Sequence, residues 1–334
     1  MALSPTLVDK VETIALGEPV AAAAFLGGAP VFALADGTLH FGDGAEERRI
    51  PVHEDAAILV AAQDGDRLVT GGDDGRVVAT NANGGVEIIG DEKGKWIDAV
   101  AAHGGAVAWT AGRTARARSA KGEAKSLDLP STSRGLAFFP KGYRLAIAHY
   151  GGATLWFPNA GKPEALVWAG SHLDAAISPD GRFLVTSMQE NALHGWRLAD
   201  GKHMRMAGYP GKTRSLSWSH DGKWLATSGA DACIVWPFSG KDGPMGQAPR
   251  ECGVRAAVVT RVAFHPAALV VAIGYDDGLI LLARLSDGSE ILVHRPAQDS
   301  DRARISAFAW DEKGARLAFG AENGEAGVLS LPKG

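Results

Sequence analysis

Leu216-Ser217-Trp218-Ser219-His220-Asp221-Gly222-Lys223-Trp224-Leu225-Ala226-Thr227-Ser228 reads as an apolar strand, a tight turn and a second apolar strand. The same phrase returns as Ala176-Ile177-Ser178-Pro179-Asp180-Gly181-Arg182-Phe183-Leu184-Val185-Thr186-Ser187. It returns again as Leu136-Ala137-Phe138-Phe139-Pro140-Lys141-Gly142-Tyr143-Arg144-Leu145-Ala146-Ile147-Ala148. Aligning on the residue that closes each first strand gives eight copies, at Phe25, Ala61, Val100, Phe138, Ile177, Trp218, Phe264 and Trp310. Their spacing is near forty residues, a period that belongs to arrays of small supersecondary units.

Each copy holds short apolar or alternating runs separated by glycine-containing turns, the mark of antiparallel strands joined in series. Asp64-Gly65, Asp180-Gly181, Asp221-Gly222 and Lys313-Gly314 occupy the first turn. Asp36-Gly37, Asp74-Gly75, Asp277-Gly278 and Asn323-Gly324 lead into the third strand. A fourth strand follows in the variable stretch, as in Glu164–Trp168 or Glu290–His294. No helical periodicity competes. A single sheet of some thirty strands would accumulate twist and expose edges, so four-stranded radial blades are the expected solution.

The last copy ends at Val328-Leu329-Ser330-Leu331 with no residues left for its fourth strand. Residues 1–16, with the run Leu7–Ala15, are a spare strand, and pairing them with the last copy would close a ring. This predicts one all-β domain over residues 1–334, a β-propeller in which eight blades are favoured and seven are the alternative if the third copy, around Val100, is not independent.

These copies resemble the WD-repeat β-propeller family. Ile177-Ser178-Pro179-Asp180-Gly181, Phe264-His265-Pro266 and the strand-ending Trp156, Trp196 and Trp236 carry the resemblance. The chain also departs from the pattern: Phe157, Arg197 and Pro237 follow those tryptophans where the family has aspartate. Only His53 stands at a Gly-His position. The resemblance implies that His53 and Asp74 form part of a buried hydrogen-bonded tetrad, with Gly72 and Thr80 at its serine and tryptophan positions, so that no copy completes it. It also implies that partners bind the face carrying the first-strand entrances and the turns before the third strands.

On that face the sequence places Trp96, Arg134, Asp174, Arg214, Arg261 and Arg304, with Tyr150 and Tyr275 before third strands. Arginine offers a planar fork to carboxylates, and tyrosine and tryptophan are enriched at interface centres. The plainer alternative pairs each arginine with Asp73, Asp231, Asp276 or Glu190 in neighbouring turns. The stretch Pro237–Val254 lengthens the sixth copy and reads as a tolerated insertion.

With 34 basic and 38 acidic residues the formal charge is -4, so nothing in the overall charge draws the chain to nucleic acid or membrane. The apolar Pro19–Ala35 is preceded by Glu12 and Glu18 and broken by Gly27, Gly28 and Pro30, which fits two strands and not a signal peptide or membrane span. The two cysteines, Cys233 and Cys252, fit a reduced, cytoplasmic setting; they fall in one repeat, where they could be neighbours, and read as small apolar side chains. The ten histidines show no metal-binding spacing, and no nucleophile elbow, phosphate loop or dinucleotide fingerprint is present. The expectation is a non-enzymatic scaffold without cofactor or metal, binding another protein through an acidic segment. The alternative is a metal- or small-ligand-binding sensor or enzyme that uses a central channel.

Overall fold

The structure is a computed structural model, and it describes residues 6–42, 47–295 and 303–332. Residues 1–5 of the expected closing segment lie outside the described residues. Apart from one turn of 3-10 helix at Val8–Lys10, all regular structure among the described residues is β-strand. The chain divides into two compact units: Met1–Leu34 with Leu39–Arg49 and Tyr209–Gly334, and Ala35–Thr38 with Ile50–Gly208.

Among the described residues the strands form seven sheets, six of four strands and one of six. The expectation of eight separate blades is therefore corrected, and the place where the count changes is not the third copy. That copy forms its own four-stranded sheet from Ala99–His103, Ala106–Ala111, Thr114–Arg118 and Ala124–Asp128. The fourth and fifth copies instead share one sheet through two long strands, Leu145–Trp156 and Glu164–Ile177. Leu145–Trp156 pairs with Ser133–Phe138 through Leu145–His149, and with Glu164–Ile177 from Tyr150 onward. Glu164–Ile177 then pairs through His172–Ile177 with Phe183–Met188.

The reason lies at Tyr150-Gly151-Gly152, where most other copies have an acidic turn. Gly152 has φ +137°, and a Cβ there would run into the Leu166 carbonyl. Glycine lets the two strands approach so closely that Tyr150 pairs with Ser171 and joins what would otherwise be separate ladders.

In the first unit, Val11–Ala15 pairs antiparallel with Glu325–Ser330, Val11 opposite Leu329 and Ala15 opposite Glu325. The start of the chain thus supplies the outermost strand of the sheet built by its last copy. Apolar cores lie between consecutive sheets. Val235 of the sixth copy packs with Val262, Val271 and Ile273 of the seventh. Ile280 and Leu282 pack with Leu317 and Phe319, and Val328 packs with Phe25 and Phe32. In the second unit Val69 and Val77 meet Val107 and Trp109. Burial of this kind contributes about 25 cal/mol per Å² of apolar surface, and it is the main force holding sheet to sheet.

Hydroxyl groups fasten the first strands to one another. Thr260 Oγ1 donates to the Ile305 carbonyl at 2.7 Å, Ser306 Oγ to the Val20 carbonyl at 2.6 Å, and the Val262 amide to Ser215 Oγ at 3.1 Å. Thr260 and Ser306 sit at register shifts in their own strands. A bulge frees the residue from its own ladder, so its hydroxyl can serve the neighbouring sheet.

Candidate interaction surface

Three of the four predicted arginines belong to the first unit. Arg214 precedes the strand Leu216–Trp218 and is exposed, while Arg261, in Val259–Phe264, and Arg304, just before Ile305–Trp310, are half-buried. Arg214 and Arg304 line one pocket of about 280 Å³, together with Lys212, Ser228, Val258 and Val259. Arg261 Nη1 donates to the Arg214 carbonyl at 3.3 Å, which fixes the edge of this basic group. The sequence reading missed Lys212, although it stands two residues before Arg214. Of these cations Arg304 has a carboxylate at 3.6 Å, Glu322, which was not among the acids considered.

Three of the four acids proposed as arginine partners serve the backbone. Asp73 accepts the Ala57 amide at 2.9 Å, Asp276 the Val258 amide at 3.0 Å and Glu190 the Ser171 amide at 3.2 Å. Each of these carboxylates ties its own turn to the entrance of the first strand 16 to 19 residues earlier, so it serves as a backbone clamp.

Tyr275 does not belong to the surface. It is fully buried, and its hydroxyl donates to the Gly253 carbonyl. The side chain turns inward beneath Gly253, where a Cβ on the glycine would collide with the phenol oxygen. In the second unit Trp96 and Tyr150 are 65% and 67% exposed, as an interface anchor requires. Arg134 is exposed at a register shift in Ser133–Phe138. Asp174 is half-buried and accepts Ser187 Oγ at 2.9 Å, so it holds a neighbouring strand.

Behind these strands lie buried polar networks. His53 Nδ1 is 3.1 Å from both carboxylate oxygens of Asp74, and Nε2 is 2.9 Å from Thr70 Oγ1. A carboxylate only accepts, so Nδ1 carries the hydrogen. Thr70, not the Gly72 position, completes this group. A Cβ at Gly72 would stand 2.5 Å from His53 Nδ1, so the glycine is what lets the imidazole reach Asp74. Thr80 Oγ1 is buried without a partner.

In the sixth copy Tyr209 takes the corresponding role. Its hydroxyl is 2.7 Å from Thr227 Oγ1 and accepts Trp236 Nε1 at 2.6 Å. Burial pushes the Tyr209 phenol well above its ordinary pKa, so the hydroxyl keeps its proton. No histidine marks this station in the sequence, yet Tyr209 precedes Thr227 by 18 residues just as His53 precedes Thr70 by 17. Histidine and phenol can each bridge a threonine hydroxyl and a second polar group there. Among the described residues no three His, Cys, Asp or Glu side chains are grouped to hold a metal ion.

The family likeness falls on this copy. The family model "WD domain, G-beta repeat" matches residues 204–236, which span Tyr209, Thr227 and Trp236. This match and a second one support a WD-repeat β-propeller family for the chain. A second model of that family, "Anaphase-promoting complex subunit 4 WD40 domain", matches residues 262–334 of this propeller. No curated protein sequence matches the chain. Among solved structures, the propeller is similar to the crystal structure of the computationally designed Ika8 protein, with a TM-score of 0.77 and 18% identity over 94% of this chain and 97% of that one. At that identity the likeness speaks for the fold. No helix among the described residues is long and apolar enough to cross a membrane.

Proposed function

We propose that this chain is a non-enzymatic interaction scaffold, one propeller domain over residues 1–334, that docks an acidic segment of another protein in a cytoplasmic setting. Proteins of the WD40 fold generally mediate protein–protein interaction. The observation that supports the finer reading is the basic pocket of Lys212, Arg214 and Arg304, with Arg261 bound to its rim. Its volume of about 280 Å³ suits one or two side chains more than a whole cofactor. Guanidinium groups meet carboxylates through paired, charge-assisted hydrogen bonds, and a lysine adds an undirected charge. The hydroxyl bonds from Thr260, Ser306 and Ser215 hold the strands that present these groups, so docking needs little rearrangement. Trp96, Arg134 and Tyr150 are the further contacts proposed on the second unit; Asp174 and Tyr275 act behind the surface.

Titration with acidic peptides tests the reading directly. Arg214→Glu combined with Arg304→Glu is expected to weaken binding by at least about tenfold and to flatten its salt dependence, with the thermal midpoint nearly unchanged. Equal affinity of the wild type for acidic and neutral peptides would overturn it.

A further inference from the structure

The sequence holds two cysteines in 334 residues, and the fold sets them opposite each other. Cys233 opens the strand Cys233–Pro237, Cys252 closes Arg250–Cys252, and the two are direct partners in the antiparallel register. Both belong to the same apolar cluster, Cys233 within it and Cys252 packed against it, so their side chains share one face of the sheet. Directly opposed residues of an antiparallel pair have Cα atoms about 4.5 or 5.5 Å apart, depending on their place in the ladder. Both spacings lie inside the range of about 4.4–6.8 Å that a disulfide bridges without backbone movement. Both thiols are free in this structure.

We propose that Cys233 and Cys252 form a reversible dithiol–disulfide pair that staples the outermost strand of the sixth-copy sheet to its neighbour. Cys252 is half-buried and reachable, whereas Cys233 is fully buried. The order of events follows from that difference. The Cys252 thiolate attacks a peroxide oxygen, the O–O bond breaks, and a sulfenic acid and hydroxide form. Cys233 then attacks the sulfenic sulfur and expels its oxygen as water. Two thiols and one hydrogen peroxide give one disulfide and two waters, the sulfurs supplying the two electrons. Burial raises both thiol pKa values, more deeply at Cys233, so the first step is slow at neutral pH and quickens as pH rises.

The staple acts at a short element. Arg250–Cys252 is three residues long and follows the glycine-rich stretch that lengthens this copy. From it Arg250 Nη1 reaches the Leu285 carbonyl at 2.9 Å, and the next amide, Gly253, donates to Glu290 at 2.8 Å. This strand therefore ties the sixth sheet to the seventh. A covalent link to Cys233 closes a loop across the variable stretch, restricts the unfolded chain and stiffens that seam.

The test is treatment of the native full-length chain with hydrogen peroxide, followed by thiol counting, intact mass and a non-reducing peptide map. Expected are loss of both free thiols, a mass lower by two hydrogens, a peptide containing both cysteines, and a thermal midpoint raised by a few degrees and reversed by dithiothreitol. Cys233→Ser, treated with oxidised glutathione in place of peroxide, should instead leave Cys252 as a mixed disulfide with release of one glutathione thiol; should that variant fold poorly, Cys252→Ser must abolish the midpoint rise seen with peroxide. Thiols that react only after denaturation, or a wild-type chain that stops at Cys252 sulfinic acid or a stable glutathione adduct, would overturn the proposal.

Discussion

His53 and His194 are both wholly buried in the same unit, yet one is satisfied at both ring nitrogens and the other at neither. His53 bridges Asp74 and Thr70. His194, in the strand Leu193–Arg197, stacks on Trp168 at 4.1 Å with an interplanar angle of 20° and meets Trp196 edge-on at 4.6 Å. The first histidine is held by direction-dependent bonds, the second by aromatic surface. Burying unpaired nitrogens costs free energy that ring contacts only partly offset. One residue type thus fills two stations for opposite physical reasons, and the stations should answer differently to mutation and to acid.

The largest expected effect is at the satisfied histidine. His53→Ala removes the partner of Asp74 and of a buried threonine, and a loss of about 3 kcal/mol is expected from the groups left unpaired and the space left behind. His194→Phe keeps the stack on Trp168 and deletes both orphaned nitrogens, so the change in stability at neutral pH should be small or favourable. Urea unfolding of the two variants measures the contrast. If both lose stability equally, the distinction between the stations is wrong.

Acid separates them next. His194 is held down to about 3 by burial first, then by the neighbouring His172, His203 and Arg205 charges. Its unfolded value is near 6.5, so the unfolded chain binds more protons there than the folded chain. Stability is therefore complete above about pH 6.5 and is lost as pH falls toward 3, at up to about 1.4 kcal/mol per pH unit from this one group. His172 is also lowered, burial outweighing the opposing Trp168 carbonyl and Glu190, and it steepens the same slope. His40 and His294 are lowered by burial as well. Stability followed between pH 7 and 4 should fall steeply in the wild type and less so in His194→Phe. Parallel curves would leave His194 without the proposed part in acid sensitivity.

Most of the strand order was legible because Asp-Gly and Asn-Gly turns punctuate it, and because an apolar first strand must find a neighbouring sheet wherever it occurs. The spare strand at Val11–Ala15 was legible for the converse reason: the last copy visibly lacks one. What escaped the sequence depends on distance across the sheet. Gly151-Gly152 reads as a break, but in space it allows a close approach that merges two ladders. Tyr275 stands where an exposed turn residue is expected, and only the position of Gly253 draws its ring inward. Thr70 lies two residues from the position expected of a tetrad hydroxyl, and an alternating strand sends that residue to the same face. In the candidate site the charges at Arg214 and Arg304 were legible, whereas Asp73, Asp276 and Glu190, three of the turn acids expected to pair with arginines, bind backbone amides.

Tyr209 tests whether the satisfied station depends on histidine at all. Its hydroxyl joins Thr227 to the Trp236 indole. Thr227 Oγ1 retains the Ile234 carbonyl at 3.0 Å, so Tyr209→Phe strands chiefly the indole N–H and preserves the ring. The expected loss is about 1 kcal/mol, smaller than at His53 because neither a charged carboxylate nor a cavity is involved. Tyr209→His poses the sharper question. An imidazole is shorter than a phenol and its nitrogens diverge, so it can reach Thr227 only by giving up Trp236. Tyr209→His should then be less stable than Tyr209→Phe, although it introduces the residue common in the family. A Tyr209→His variant as stable as the wild type would show that the station accepts any bridging group, and that the geometry of Trp236 does not select the tyrosine.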